Sequence, residues 1–126
     1  MRLILGARVD RPALQRLVDA FYVEARQDAL LGPVFERHIT NWDEHLGRMT
    51  DFWASLLIRD RSYSGRPLEL HRAIPDLTEE MFDRWVEIFS SAVRGEFGDS
   101  STSEVLIDLA KRMGVQLSKG AIEAAQ

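Results

Sequence analysis

Cysteine is absent from the 126 residues, which excludes disulfides and thiolate metal sites. No apolar run approaches the roughly 20 residues that span a bilayer, so no membrane partner is expected. Positive charge is in the minority. The 16 Lys and Arg face 20 Asp and Glu, for a net charge of −4, and nucleic-acid binding calls for a basic face. The opening Met1-Arg-Leu-Ile-Leu-Gly6 is apolar only briefly and lacks a signal-peptide core, which makes a cytoplasmic location the expectation. Any metal must be held by His, Asp or Glu, or arrive inside a cofactor. The carboxylates offer no Glu-x-x-His pair on an inward face, so a di-iron carboxylate bundle is poorly supported.

What is present is ordinary in bulk and specific in placement. Hydrophobic residues make up 45% and charged residues 29%, as in soluble globular domains. The length fits one domain, residues 1–126. Four segments carry a helical period. Leu14, Leu17, Val18, Phe21, Tyr22 and Ala25 form one face, with Asp10 as N-cap and Pro12 in the first turn. Gly32-Pro33 reads as the start of a loop. His45, Met49, Phe52, Trp53, Leu56 and Leu57 form a second face, with Arg48 at its border. Phe82, Trp85, Val86, Phe89 and Val93 form a third, capped by Thr78, with Glu79 and Glu80 where the helix dipole favours negative charge. Leu106, Leu109, Ala110, Met113 and Leu117 form the fourth, with Ser101 and Glu104 matching a capping box and Gly95–Ser100 as the connection. No stretch alternates like a strand with hairpin turns. The expected architecture is all-α, with a loop-rich stretch from Asp60 to Pro75.

Three residues on these inner faces are unusual for an inert bundle. Tyr22, His45 and Trp85 each carry a polar atom that needs a partner when buried. Apolar walls with a few convergent polar groups are the pattern of a small-ligand site, although a single buried Tyr or Trp is usually packing with one satisfied hydrogen bond. His71 sits between Pro67 and Pro75, in a segment too interrupted for a long helix, where a lone imidazole among apolar neighbours is placed to hold something. His38 follows Phe35-Glu-Arg in what reads as a polar, solvent-exposed loop.

These residues and their order resemble the truncated haemoglobins, specifically the third group of that family. The likeness rests on Phe21-Tyr22, Leu31-Gly-Pro-Val-Phe35, Trp42-Asp-Glu-His45 and Arg48-Met-Thr-Asp-Phe-Trp53. It continues through Tyr63-Ser-Gly-Arg-Pro-Leu-Glu-Leu-His71, His71-Arg-Ala-Ile-Pro75 and Phe82-Asp-Arg-Trp85. It runs from about Leu14 to about Leu117, and the Gly-Gly pairs of the other two groups are missing.

The resemblance implies a two-over-two globin-like helical sandwich around haem b (iron protoporphyrin IX). It implies His71 as the axial iron ligand and Tyr22, His45 and Trp85 as the residues around a bound ligand. Phe35, Arg48, Met49, Phe52, Trp53, Tyr63 and Leu70 are the further haem contacts it implies, with Arg48 near a propionate. The implied function is tight, hydrogen-bonded binding of O2 and of other diatomic ligands such as NO and CO, by a monomer served by an unidentified reductase. NO dioxygenase-like and peroxidase-like activity are both open under it. The alternatives are a haem-based sensor or redox partner and, last, a haem-free helical interaction domain.

Overall fold

The computed structural model describes residues 2–4, 7–58 and 77–125, with side chains described over 9–58 and 77–119. His71, Tyr63, Leu70 and the expected loop from Asp60 to Pro75 lie outside the described residues.

The chain begins with two three-residue strands, β1 (Arg2–Ile4) and β2 (Ala7–Val9), paired antiparallel with Arg2 opposite Val9 and Ile4 opposite Ala7. No strands were expected there. Three residues are too few for a period of two to declare itself against a helical pattern, so the pairing is visible only in the backbone.

Helix α1 (Arg11–Ala25) starts where its sequence says it should. The Asp10 carboxylate accepts from the Ala13 N–H at 3.0 Å, and proline occupies the first turn, where its missing N–H costs nothing. All six residues of its expected face are buried. Helix α2 (Gly32–His38) replaces the loop expected at Gly32-Pro33. Pro33 is compatible with a helix start as well as with a break, and seven residues are too short to show a period. His38 is the last residue of α2, helical and exposed.

Helix α3 (Trp42–Leu57) is capped by Asn41, whose side chain accepts from the Glu44 N–H at 3.1 Å. Its buried stripe is Thr50, Trp53, Ala54 and Leu57. His45, Met49 and Phe52 are half-buried, and Leu56, expected on the inner face, is 46% exposed. The stripe is rotated toward Thr50, whose hydroxyl is satisfied by the Leu46 carbonyl at 2.9 Å; that bond lets a polar residue take an inner position.

Helix α4 (Glu79–Phe97) is capped by the Thr78 side chain and ends at Gly98, whose φ is 69°. It takes in the first three residues of the expected connection, Gly95 to Phe97, so the connection is Gly98–Ser100 only. Helix α5 (Ser101–Ala125) is capped one residue earlier than expected: the Ser100 hydroxyl, not Ser101, accepts from the Ser103 N–H at 3.2 Å.

Helix α1 packs against α3 and α4, and α5 packs along α4. One core cluster runs through these helices, from Leu14, Leu17 and Phe21 to Trp53, Phe89, Val93 and Leu106. The all-α expectation stands, with five helices among the described residues. No helix among the described residues is long and apolar enough to cross a membrane.

Candidate functional site

Tyr22 reaches the site from the last turns of α1. The spacing of eight residues from Leu14 and four from Val18 that buries the face also turns its ring inward, leaving 7% exposure. Its hydroxyl meets Nε2 of His45 at 2.8 Å. The bond brings together two of the three polar residues singled out in the sequence, and it shows that His45 turns inward rather than to solvent.

An aromatic cage surrounds the pair. Edge-on contacts join Tyr22 to Phe21 at 4.7 Å, to Phe35 at 5.4 Å and to Trp42 at 5.6 Å between ring centroids. Such pairs add about 0.5–1.5 kcal/mol beyond the area they bury. Burial pushes the Tyr22 phenol well above its ordinary pKa. Burial, helped by the positive charge of Arg48, lowers the His45 imidazole to about 4. At neutral pH both groups are uncharged, so a single proton lies between the phenolic oxygen and Nε2, and the tautomer decides which atom donates.

Trp85 stands across Phe21 from this pair, with ring centroids 6.2 Å apart. It stacks on Phe89 at 5.4 Å, and Phe89 stacks on Trp53 at 4.9 Å. The half-buried Trp85 therefore rests on a ring column rooted in the core. Among the described residues its indole N–H has no hydrogen-bond partner. Met49 and Phe52 continue the line of His45 along α3 and are half-buried, as is Phe35 on α2. Arg48 lies on the outer side of that line and pairs with Glu44 at 2.6 Å.

The donor set can be tested against a haem. Among the described residues no group of three His, Cys, Asp or Glu could hold a metal ion. A metal that brings its own ring nitrogens needs only an axial residue and apolar walls. Partly uncovered Phe35, Met49, Phe52 and Trp85, beside an unpartnered indole N–H and a buried Tyr–His pair, are walls and donors of that kind. The described residues fit the group.

Two features escaped the sequence reading. Trp42 completes the cage and carries the Arg26 guanidinium 3.9 Å above its ring; its place three residues before His45 on the same helix was the available signal. Asp28 accepts from the Leu30 and Leu31 N–H groups and from Arg84 at 2.7 Å, tying the turn after α1 to α4 one residue before Trp85. Burial pushes the Asp28 carboxyl up, but the Arg84 guanidinium and these two N–H groups outweigh it and hold it below the usual carboxylate value.

No family model matches the chain. It is 28% identical over 102 residues to the group 3 truncated haemoglobin ctb of Campylobacter jejuni, which covers 78% of this chain and 80% of that protein. The crystal structure of a group III truncated haemoglobin from Campylobacter jejuni superposes with a TM-score of 0.84 at 25% identity, over 92% of this chain and 94% of that one.

Proposed function

Starting from a chain that belongs to the group III truncated haemoglobins, we propose that it holds haem b on His71 and binds diatomic ligands, O2 foremost, in the pocket lined by Tyr22, His45 and Trp85. The observation that carries the reading is the 2.8 Å bond between Tyr22 and His45 inside an aromatic cage, with the Trp85 indole, unpartnered among the described residues, across Phe21 from it. Bound haem would supply an iron centre with one open position for a diatomic ligand.

His71 would give one imidazole nitrogen to the metal, and its other nitrogen would be fixed by a nearby acceptor. Phe35, Met49 and Phe52 supply apolar wall. Trp53 backs that wall from the core, where only 4% of it is exposed. Tyr63 and Leu70 would be further contacts, and Arg48, which pairs with Glu44, would be the residue to hold a propionate.

Tyr22 and Trp85 donate to the polar ligand. When His45 carries its proton on Nε2, it donates to the Tyr22 oxygen and leaves the phenolic proton free to turn into the pocket. Each such bond is worth about 1 kcal/mol, and more to a charged acceptor. Two together hold O2 by about 2 kcal/mol, roughly 30-fold in its release, and leave the less polar CO almost untouched. A site that grips O2 so firmly suits chemistry on O2, NO or peroxide better than transport. NO dioxygenation and peroxide reduction are the reactions to assay, with an external reductase as electron donor.

The test is a stopped-flow series on the haem-loaded chain. Tyr22→Phe with Trp85→Phe is expected to release O2 roughly 30-fold faster with CO kinetics unchanged, and an unchanged O2 rate removes the donor account. In the same series His71→Ala loses the ordinary histidine-ligated spectrum; a normal spectrum excludes His71 as the ligand.

A further inference from the structure

We infer that Tyr22 and His45 form a proton-coupled redox pair: Tyr22 gives an electron to a one-electron oxidant while its phenolic proton crosses to Nε2 of His45. The inference goes beyond the haem reading and does not rest on it.

The geometry is that of a proton donor and a base in place. An oxygen–nitrogen distance of 2.8 Å is a full hydrogen bond, so the proton moves without displacement of either ring. The imidazole is neutral because burial lowers it to about 4, and in the Nδ1–H tautomer its Nε2 lone pair faces the phenol. A phenol stripped of an electron is a far stronger acid than a phenol. Without a base, the charge would stay on Tyr22, which is 7% exposed, and burying an unpaired charge is costly. With His45 present, the charge leaves as imidazolium on the less buried partner.

The neighbouring rings keep the electron hole on Tyr22. Phe21 and Phe35 carry no heteroatom and oxidise with difficulty. Trp42 is the nearest oxidisable ring, at 5.6 Å, but the Arg26 guanidinium 3.9 Å above it opposes loss of an electron. Trp85 has no described base for its indole proton. Tyr22 also lines a groove of about 520 Å³ between α1 and α3, with Trp42, Leu46, Gly47 and Thr50, so an outer-sphere oxidant approaches to within van der Waals distance of its surroundings.

The step balances. The Tyr22 O–H bond breaks and an N–H bond forms on His45, while one electron passes to the oxidant, for example tris(bipyridine)ruthenium(III), which becomes ruthenium(II). A soluble reductant such as ascorbate returns the electron, and the proton goes back from Nε2 to the oxygen. The pair thus discharges oxidising equivalents that reach the pocket.

Flash-quench oxidation of the full chain by photogenerated tris(bipyridine)ruthenium(III), read by transient absorption and freeze-quench EPR, tests this. The chain has two tyrosines, Tyr22 and Tyr63. A tyrosyl radical is expected that survives Tyr63→Phe, disappears in Tyr22→Phe and forms more slowly in deuterated water. His45→Leu, which leaves Tyr22 in place, is expected to slow its formation about 100-fold and to abolish the isotope effect. A radical that persists in Tyr22→Phe, or an unchanged rate in His45→Leu, overturns the proposal. If Tyr22→Phe does not fold, the His45→Leu rate and isotope effect decide alone. A haem spectrum of each sample scores the haem reading separately, since the radical does not depend on it.

Discussion

His45 is a base that burial keeps from being charged, and that has a consequence for stability. In the unfolded chain an imidazole takes up a proton below about 6.5; in the folded chain it does so only near 4. Between those values the unfolded state binds more protons, so stability falls as pH drops through the window and is flat with respect to this group above it. At pH 5 the loss amounts to about 2 kcal/mol at most. His45→Gln, which keeps a polar partner for Tyr22, is expected to remove most of that loss. Urea unfolding at pH 7 and pH 5 checks it, and an equal pH difference in variant and parent would show that His45 is not the group responsible. The residue was legible in the sequence because four-residue spacing from Met49 put it on an apolar stripe. Its partner and its direction were not: a period places a side chain on a face, while the Tyr22 contact joins residues 23 apart in sequence.

At the scale of elements, the long helices announced themselves and the short pieces did not. A face such as Leu14 to Ala25 repeats its signal over several turns, and every residue of it is buried. Gly32-Pro33 carries no such repetition, so the same dipeptide that reads as a break opens α2 instead. The reason lies in the close approach there: a Cβ on Gly32 would stand 2.6 Å from the carbonyl oxygen of Arg26, a backbone atom that cannot swing aside. Gly32→Ala is therefore expected to cost about 1–3 kcal/mol through overpacking. Gly47, on the exposed side of α3, has nothing within 4 Å of its added Cβ, and Gly47→Ala is expected to gain up to about 1 kcal/mol of helix propensity. Denaturant midpoints of the two variants check the opposite signs, and a neutral Gly32→Ala would mean that α2 re-docks freely. The cap at Ser100 rather than Ser101 was hidden for a different reason: the capping-box spacing to Glu104 singles out Ser101, and only the helix's own register, which starts a residue earlier, hands the cap to Ser100.

Across the whole molecule, the candidate site and the core are one body. Phe89 is the joint: it touches Phe21 of α1 at 6.0 Å, stacks on Trp53 of α3 at 4.9 Å and carries Trp85 of its own helix at 5.4 Å. It is 2% exposed, so truncation leaves a void bounded by three helices, and a Phe→Ala change in such a place costs about 3–5 kcal/mol. That is a large share of the 5–15 kcal/mol typical of a domain, so Phe89→Ala is expected to lower the urea midpoint steeply while the chain remains helical by far-UV circular dichroism. Phe89→Leu keeps most of the volume and is expected to cost markedly less. The functional signature follows from the stack. With its platform gone, the Trp85 indole loses a fixed orientation, so haem-loaded Phe89→Leu is expected to release O2 faster than the parent although it touches neither Tyr22 nor His45. Stability and O2 release that moved independently across these two variants would separate the core from the site and refute their union.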